Sequence, residues 1–147
     1  MKKTISIVIP CYNEEENVVP LANALRTCFR EKLQNYHYEL LFIDNDSQDK
    51  TRENLRALCK EDKGIKAIFN AKNFGQFNSP YYGMLNSTGD ATILMAADFQ
   101  DPVEMIPKFV EAWEEGYRIV IGVKTESNES KLMYALRGIY YKLIRKM

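Results

Sequence analysis

The chain has 147 residues, with Lys plus Arg and Asp plus Glu at 20 each, so a general nucleic-acid binder, which carries a basic excess, is disfavoured. That length is one domain, and 46% hydrophobic with 27% charged residues is ordinary for a chain that builds a single core. Cys11, Cys28 and Cys59 are widely spaced and His37 is the sole histidine, which argues against a disulfide framework and a Cys/His zinc site and for reduced thiols in a cytoplasmic protein.

Lys2-Lys3 ahead of Ile5 to Ile9 imitates a secretion signal. The apolar run is too short for one, however, and Pro10 and the acidic Glu14-Glu15-Glu16 follow at once. A first, buried β-strand explains it better. Asn13 then offers an N-cap, and Val18, Leu21, Ala22, Leu25 and Phe29 recur at helical spacing. Tyr38 to Ile43 predicts a second strand, ended by the polar cluster Asp44 to Asp49, where Asp46 and Ser47 are candidate helix caps. Thr51, Leu55, Leu58 and Cys59 give a second amphipathic helix, and Ile65 to Phe69 a third strand. A third helix is expected near Phe77 to Asn86, a fourth strand at Ala91 to Ala96, a helix over Val103 to Trp113 and a fifth strand over Arg118 to Val123. No run of about 18 apolar residues occurs, so no membrane span is expected.

Strands alternating with helices, each strand a nearly continuous apolar run, predict an α/β fold with a mostly parallel sheet flanked by helices. In such folds ligands bind beyond the carboxyl ends of the strands. Three polar clusters fall at such ends: Tyr12-Asn13-Glu14, Asp44-Asn45-Asp46 and Asp98-Phe99-Gln100-Asp101. Asp98 with Gln100 suits a hard cation such as Mg²⁺ or Mn²⁺, which is often held by one or two carboxylates and completed by phosphate oxygens and water. Asp101 alone reads equally well as the cap of the helix begun at Pro102. No GxGxxG and no GxxxxGK[ST] occurs, which weakens a dinucleotide oxidoreductase or a P-loop nucleotidase and leaves phosphate binding to a cation.

The string Val8 to Asn17 resembles the opening motif of family 2 glycosyltransferases of the GT-A fold. Asn73-Phe74-Gly75-Gln76 and Ala97 to Glu104 are similar to the polyprenyl-phosphate branch, which includes dolichol-phosphate mannosyltransferases and bactoprenol glucosyltransferases. The resemblance runs over essentially the whole chain in motif order. It implies a Rossmann-like GT-A core over residues 1–124, with an acceptor-loop region and an amphipathic membrane-interface helix over residues 125–147. Pro10, Tyr12 and Glu14 would line the nucleotide pocket with Asp44, and Asp46 and Lys72 are further candidates. Asp98 and Gln100 would hold the metal and the diphosphate, and Asp98 and Asp101 are the catalytic candidates. Lys124, ending Gly122-Val123-Lys124 where the branch usually has Gly-x-Arg, would contact acceptor or donor phosphate as a point charge, and Arg137 would contact acceptor phosphate.

Two departures stand out. The family often has Asp-Asp-Gly-Ser where this chain has Asp44-Asn45-Asp46-Ser47, and many members carry an Asp at the position of Ala96. A thinner metal shell is therefore expected.

The implied activity is inverting transfer of a sugar from a UDP- or GDP-sugar to a polyprenyl phosphate at the cytoplasmic face of the membrane. The acceptor phosphate is already anionic and needs no strong base, in keeping with clusters that lack His. Transfer to a saccharide hydroxyl, or nucleotide binding without turnover in a shortened chain, are the alternatives. Leu132, Leu136, Ile139, Tyr140 and Leu143 share one helical face, with Lys131, Lys142, Arg145 and Lys146 outside it. Such a basic amphipathic helix suits an anionic bilayer surface, which the resemblance favours, with a core-packing helix bearing a solvated basic face as the alternative. Family members usually continue with a further helix and membrane segments, so an engineered fragment, a truncated gene or a soluble variant needing a separate membrane partner is expected here. The partners expected are a homo-oligomer or a separate membrane subunit.

Overall fold

The structure is a computed structural model in which residues 2–123 are described. The boundary expected at 124/125, Lys124, Arg137 and the basic segment from Lys131 lie outside the described residues. In chain order the elements are β1 (Thr4–Cys11), α1 (Val18–Lys32), β2 (His37–Asp44), α2 (Thr51–Glu61), β3 (Ile65–Phe69), α3 (Gly75–Asn86), β4 (Ala91–Leu94), a 3-10 turn (Val103–Met105) and α4 (Ile106–Glu114).

The four strands form one sheet in the order β3-β2-β1-β4, with every pairing parallel. Registers Cys11↔Asp44 and Asp44↔Phe69 bring the carboxyl ends of β1, β2 and β3 level. The chain builds outward from β1 to β3 and then crosses back to place β4 on β1's other side. The topological switch point, where open α/β sheets leave a crevice, therefore lies between β1 and β4.

Period-2 alternation splits each strand between two faces. Ile5, Ile7, Ile9, Leu40 and Phe42 point into the main core, closed by Leu21, Leu25 and Phe29 of α1, Leu55 and Leu58 of α2, and Ile106 and Val110 of α4. Val8, Leu41 and Ile43 face the other way, under α3. That helix approaches through small residues: only Ser79, Pro80 and Gly83 are buried. A Cβ on Gly83 would lie 2.7 Å from both Val8 Cγ1 and Ile43 Cγ1, so a glycine sets the helix-to-sheet distance. The rest of α3 carries no charge and exposes Phe77 (79%), Tyr81 (60%) and Leu85 (66%).

Several expectations are corrected. Arg118 to Val123 forms no strand among the described residues: Ile119, Ile121 and Val123 stay exposed, and β4 pairs only with β1. β-Propensity alone does not make a strand, and among the described residues no backbone pairing forms along this segment. β4 stops at Leu94 rather than Ala96 because the chain then turns into the Asp98 loop. Asn13 does not cap α1, which begins at Val18 with Asn17 as its N-cap residue; the Asn13 side chain is engaged across the molecule instead. Nor do Asp46 or Ser47 cap α2, since Asp49 Oδ1 takes the Thr51 N–H at 2.9 Å.

Candidate functional site

The loops after β1 and β2 are laced together by short polar contacts. Asn13 N donates to Ser47 Oγ (2.9 Å), and Gln48 N donates to Asn13 Oδ1 (2.8 Å). Glu14 N donates to Thr51 Oγ1 (2.8 Å), and Lys50 N donates to Glu15 Oε2 (2.8 Å). Burial pushes the Asp49 carboxyl up, but donors from Thr51 and the Glu15 N–H hold it below the usual carboxylate range. Two of the three predicted clusters are thus one rigid rim, and Tyr12 stands exposed on it.

Below the rim, Asp44 is fully buried and Arg52 Nε lies 2.8 Å from its Oδ2. Neither atom makes an aligned hydrogen bond, so the pair is held by charge, and Oδ2 keeps lone-pair capacity. Arg52 also donates to the Asn70 carbonyl (2.9 Å) and approaches Asp46 Oδ1 at 3.5 Å. Cys11 is buried beside Asp44; burial and the neighbouring carboxylate push its thiol far up, so it is an inert floor residue. Pro10 is half-buried next to it.

Lys72 is exposed on the loop after β3, its ammonium 5.2 Å from the Phe74 ring centroid. The Asp98 cluster leaves β4 on the opposite side of β1. Asp98 accepts from Gln100 twice, at Oδ1 from the backbone N–H (3.1 Å) and at Oδ2 from Nε2 (2.6 Å). Asp101 Oδ2 accepts the Ala96 N–H (2.9 Å), closing the loop rather than capping the following turn. Among the described residues no hydrogen bond joins this cluster to the other two, and no group of three or more His, Cys, Asp or Glu side chains could enclose a metal. The exposed Asp98 carboxylate, with the Gln100 amide oxygen, would be the protein's share of a cation's shell, and phosphate oxygens and water would have to supply the rest. A cleft of about 610 Å³ opens behind the loop, between Asn23, Thr27 and Cys28 of α1 on one side and Phe99 and Asp101 to Glu104 on the other. It includes neither Asp98 nor the rim, so it is not where the clusters meet.

One backbone feature marks all three clusters. The non-glycine residues with positive φ among those described are Asn13 (56°), Asp46 (69°) and Phe99 (60°), one in each. Left-handed backbone is rare for a side chain as bulky as Phe and costs about 1–3 kcal/mol, and such strain collects at functional sites. Asp46 occupies the position where a family 2 glycosyltransferase often has glycine, and its φ explains why glycine suits it.

The Glycosyl transferase family 2 model matches residues 6–146. The chain belongs to that family. Among its relatives, a bactoprenol glucosyl transferase of Shigella phage SfX is 33% identical over 144 residues, covering 97% of this chain and 47% of the relative. An undecaprenyl-phosphate 4-deoxy-4-formamido-L-arabinose transferase of Yersinia pestis (strain Pestoides F) is 38% identical over 129 residues, covering 87% and 39%. The chain spans less than half the length of these relatives. S. aureus TarS in complex with UDP-GlcNAc matches with a TM-score of 0.62 at 17% identity, over 86% of this chain and 37% of that one. The mannosyltransferase PcManGT of Pyrobaculum calidifontis, in complex with GDP-Man and Mn²⁺, matches with a TM-score of 0.56 at 14% identity, over 69% and 34%. The sheet is thus that of a GT-A family 2 glycosyltransferase core, as the motif order led us to expect.

Arg52 and Asn45 escaped the sequence reading. An Arg one residue into a helix that follows three aspartates was the available signal for Arg52. Asn45 gave none beyond its place in an acidic turn.

Proposed function

We propose that this chain is the nucleotide-sugar-binding core of an inverting glycosyltransferase that moves a sugar from a UDP- or GDP-sugar to a polyprenyl phosphate. The observation that carries this is the set of three polar loops with left-handed turns at the strand ends around the switch point, on a family 2 chain whose relatives are named for bactoprenol and undecaprenyl phosphate. Pro10, Tyr12, Glu14 and Asp46 line the nucleoside side of the rim. Asp44 anchors it through Arg52, and Lys72 faces the diphosphate.

In the reaction an oxygen of the anionic lipid phosphate attacks the anomeric carbon and forms the new C–O bond. The bond from that carbon to the donor's β-phosphate oxygen breaks, and its electron pair leaves with the nucleoside diphosphate. No proton has to be removed from the acceptor, in accord with His37 lying at the amino end of β2. Asp98, with Gln100, would hold Mg²⁺ or Mn²⁺, which when bound neutralises charge on the leaving diphosphate. Asp101 shapes the loop that presents Asp98.

Lys124 and Arg137 would meet the acceptor phosphate, and the basic segment from Lys131 would lie on the inner face of the membrane. The uncharged, exposed face of α3 supports a membrane-associated surface. No helix among the described residues is long and apolar enough to cross a bilayer.

Calorimetry with UDP and GDP, with and without Mg²⁺ or Mn²⁺, is the first test. Metal-dependent binding of one nucleotide, weakened by Asp98→Ala, is expected. Absence of metal-dependent binding by either would remove the catalytic-core reading. Labelled UDP- or GDP-sugar with undecaprenyl phosphate then tests transfer. A second reading, nucleotide binding without turnover, is favoured by the single open carboxylate at Asp98, since Asp101 is spent on Ala96; binding with no labelled lipid product would select it.

A further inference from the structure

The loop that carries Lys72 is fastened by one side chain. Asn45, at the end of β2, is 7% exposed, and its backbone N–H donates to the Cys11 carbonyl at 2.9 Å. Its amide oxygen accepts from Phe74 N (2.9 Å) and Asn70 Nδ2 (3.1 Å). Its amide nitrogen donates to Asn73 Oδ1 (2.8 Å) and toward the Gly75 carbonyl (3.4 Å). A backbone N–H can only donate, so Phe74 fixes which end of the amide is oxygen. The hydrogen-bonding capacity of the side chain is thereby filled.

The contacts converge on residues 70–75. Asn73 Oδ1 also takes the Gly75 N–H (2.8 Å), and Asn70 Nδ2 also donates to Ser79 Oγ in α3 (3.1 Å). Phe74 is gripped at its backbone while its ring supports the Lys72 ammonium. An aspartate at position 45 could serve Phe74 and Asn70 but has no hydrogen for Asn73 or Gly75. It would set a carboxylate oxygen against two acceptors, and the loop would open on that side.

We propose that Asn45 is a positioning residue for the donor diphosphate: its amide holds the loop so that Phe74 presents the Lys72 ammonium to the phosphates. This rests on the nucleotide-sugar reading above. It gives the departure from the family's Asp-Asp-Gly-Ser a purpose, since the second position needs a donor as well as an acceptor in this chain.

The test is a double-mutant cycle on nucleotide affinity in the full chain, by calorimetry with UDP and GDP. Lys72→Ala should weaken binding about tenfold, the scale of one lost charge-assisted hydrogen bond. Asn45→Asp should weaken it similarly, and the double variant should bind no worse than Lys72→Ala alone, because Asn45 acts through Lys72. A purely structural Asn45 would instead give losses that multiply, and that result overturns the proposal, as does unchanged affinity in Asn45→Asp. Phe74→Leu removes the half-exposed ring while leaving the backbone contact. It should reproduce the Lys72→Ala loss even if Asn45→Asp fails to fold, and wild-type affinity in Phe74→Leu would overturn the proposed relay. Should the wild-type chain bind neither nucleotide, the functional reading itself falls and takes this inference with it; binding with a multiplicative cycle defeats the inference alone.

Discussion

Glu39 lies on the α3 side of the sheet, 3% exposed, and is the sharpest place to perturb the fold's electrostatics. Burial pushes its carboxyl up, but Lys66 Nζ at 2.6 Å, the Ser6 hydroxyl, and the Thr88 N–H and hydroxyl at 2.8 Å together outweigh it. The result is a carboxyl held down from its ordinary 4.5 to about 2. A tenfold change in proton affinity is about 1.4 kcal/mol, so the charged form contributes up to about 3 kcal/mol to folding near neutral pH. Because the folded value is depressed, that stability is complete above about pH 4.5 and is lost as the pH falls toward 2.

Glu39→Gln removes the charge and keeps the shape, so it should cost about 2–3 kcal/mol at pH 7. The gap from wild type should shrink steadily below pH 4.5, since protonated Glu39 and Gln are nearly equivalent. Urea unfolding of both proteins at pH 7, 4, 3 and 2.5 measures it, and comparison with the variant cancels the other depressed carboxylates, Asp49, Asp62 and Glu114. A gap that stays constant from pH 7 to 2.5 would refute the reasoning.

Two further substitutions probe the site's foundations. Arg52→Leu leaves the fully buried Asp44 without its countercharge and should cost about 3–5 kcal/mol in urea unfolding, with Arg52→Lys restoring only part because an ammonium cannot also span Asn70 and Asp46. Gly83→Ala drives a methyl against Val8 and Ile43, so thermal melting should show about 1–3 kcal/mol of destabilisation; a wild-type melting temperature would mean that α3 does not rest on the sheet there.

The sequence by itself determined the layers. Apolar runs such as Ile5–Ile9 and Leu40–Ile43 have to be buried, and the helical periodicity of Val18 to Phe29 has to cover them, so an α/β sheet with polar loops at its ends follows from local pattern alone. The clusters at Tyr12, Asp44 and Asp98 were legible for the same reason, as polar residues that abruptly end apolar runs. Strand order was not, because parallel partners lie far apart in sequence and nothing local says that β4 returns to β1's free side. The same blindness produced a fifth strand at Arg118 to Val123, where propensity is present but no pairing forms among the described residues. Asn13 misled as a cap because its side chain is satisfied 35 residues away, at Gln48 N. Arg52 under Asp44, the Asn45 amide at the centre of the Lys72 loop and the left-handed turns at Asn13, Asp46 and Phe99 were decided only by tertiary structure. Each depends on which distant backbone donor or carboxylate the fold brings within about 3 Å, and hydrogen bonds and buried charges act only over that range.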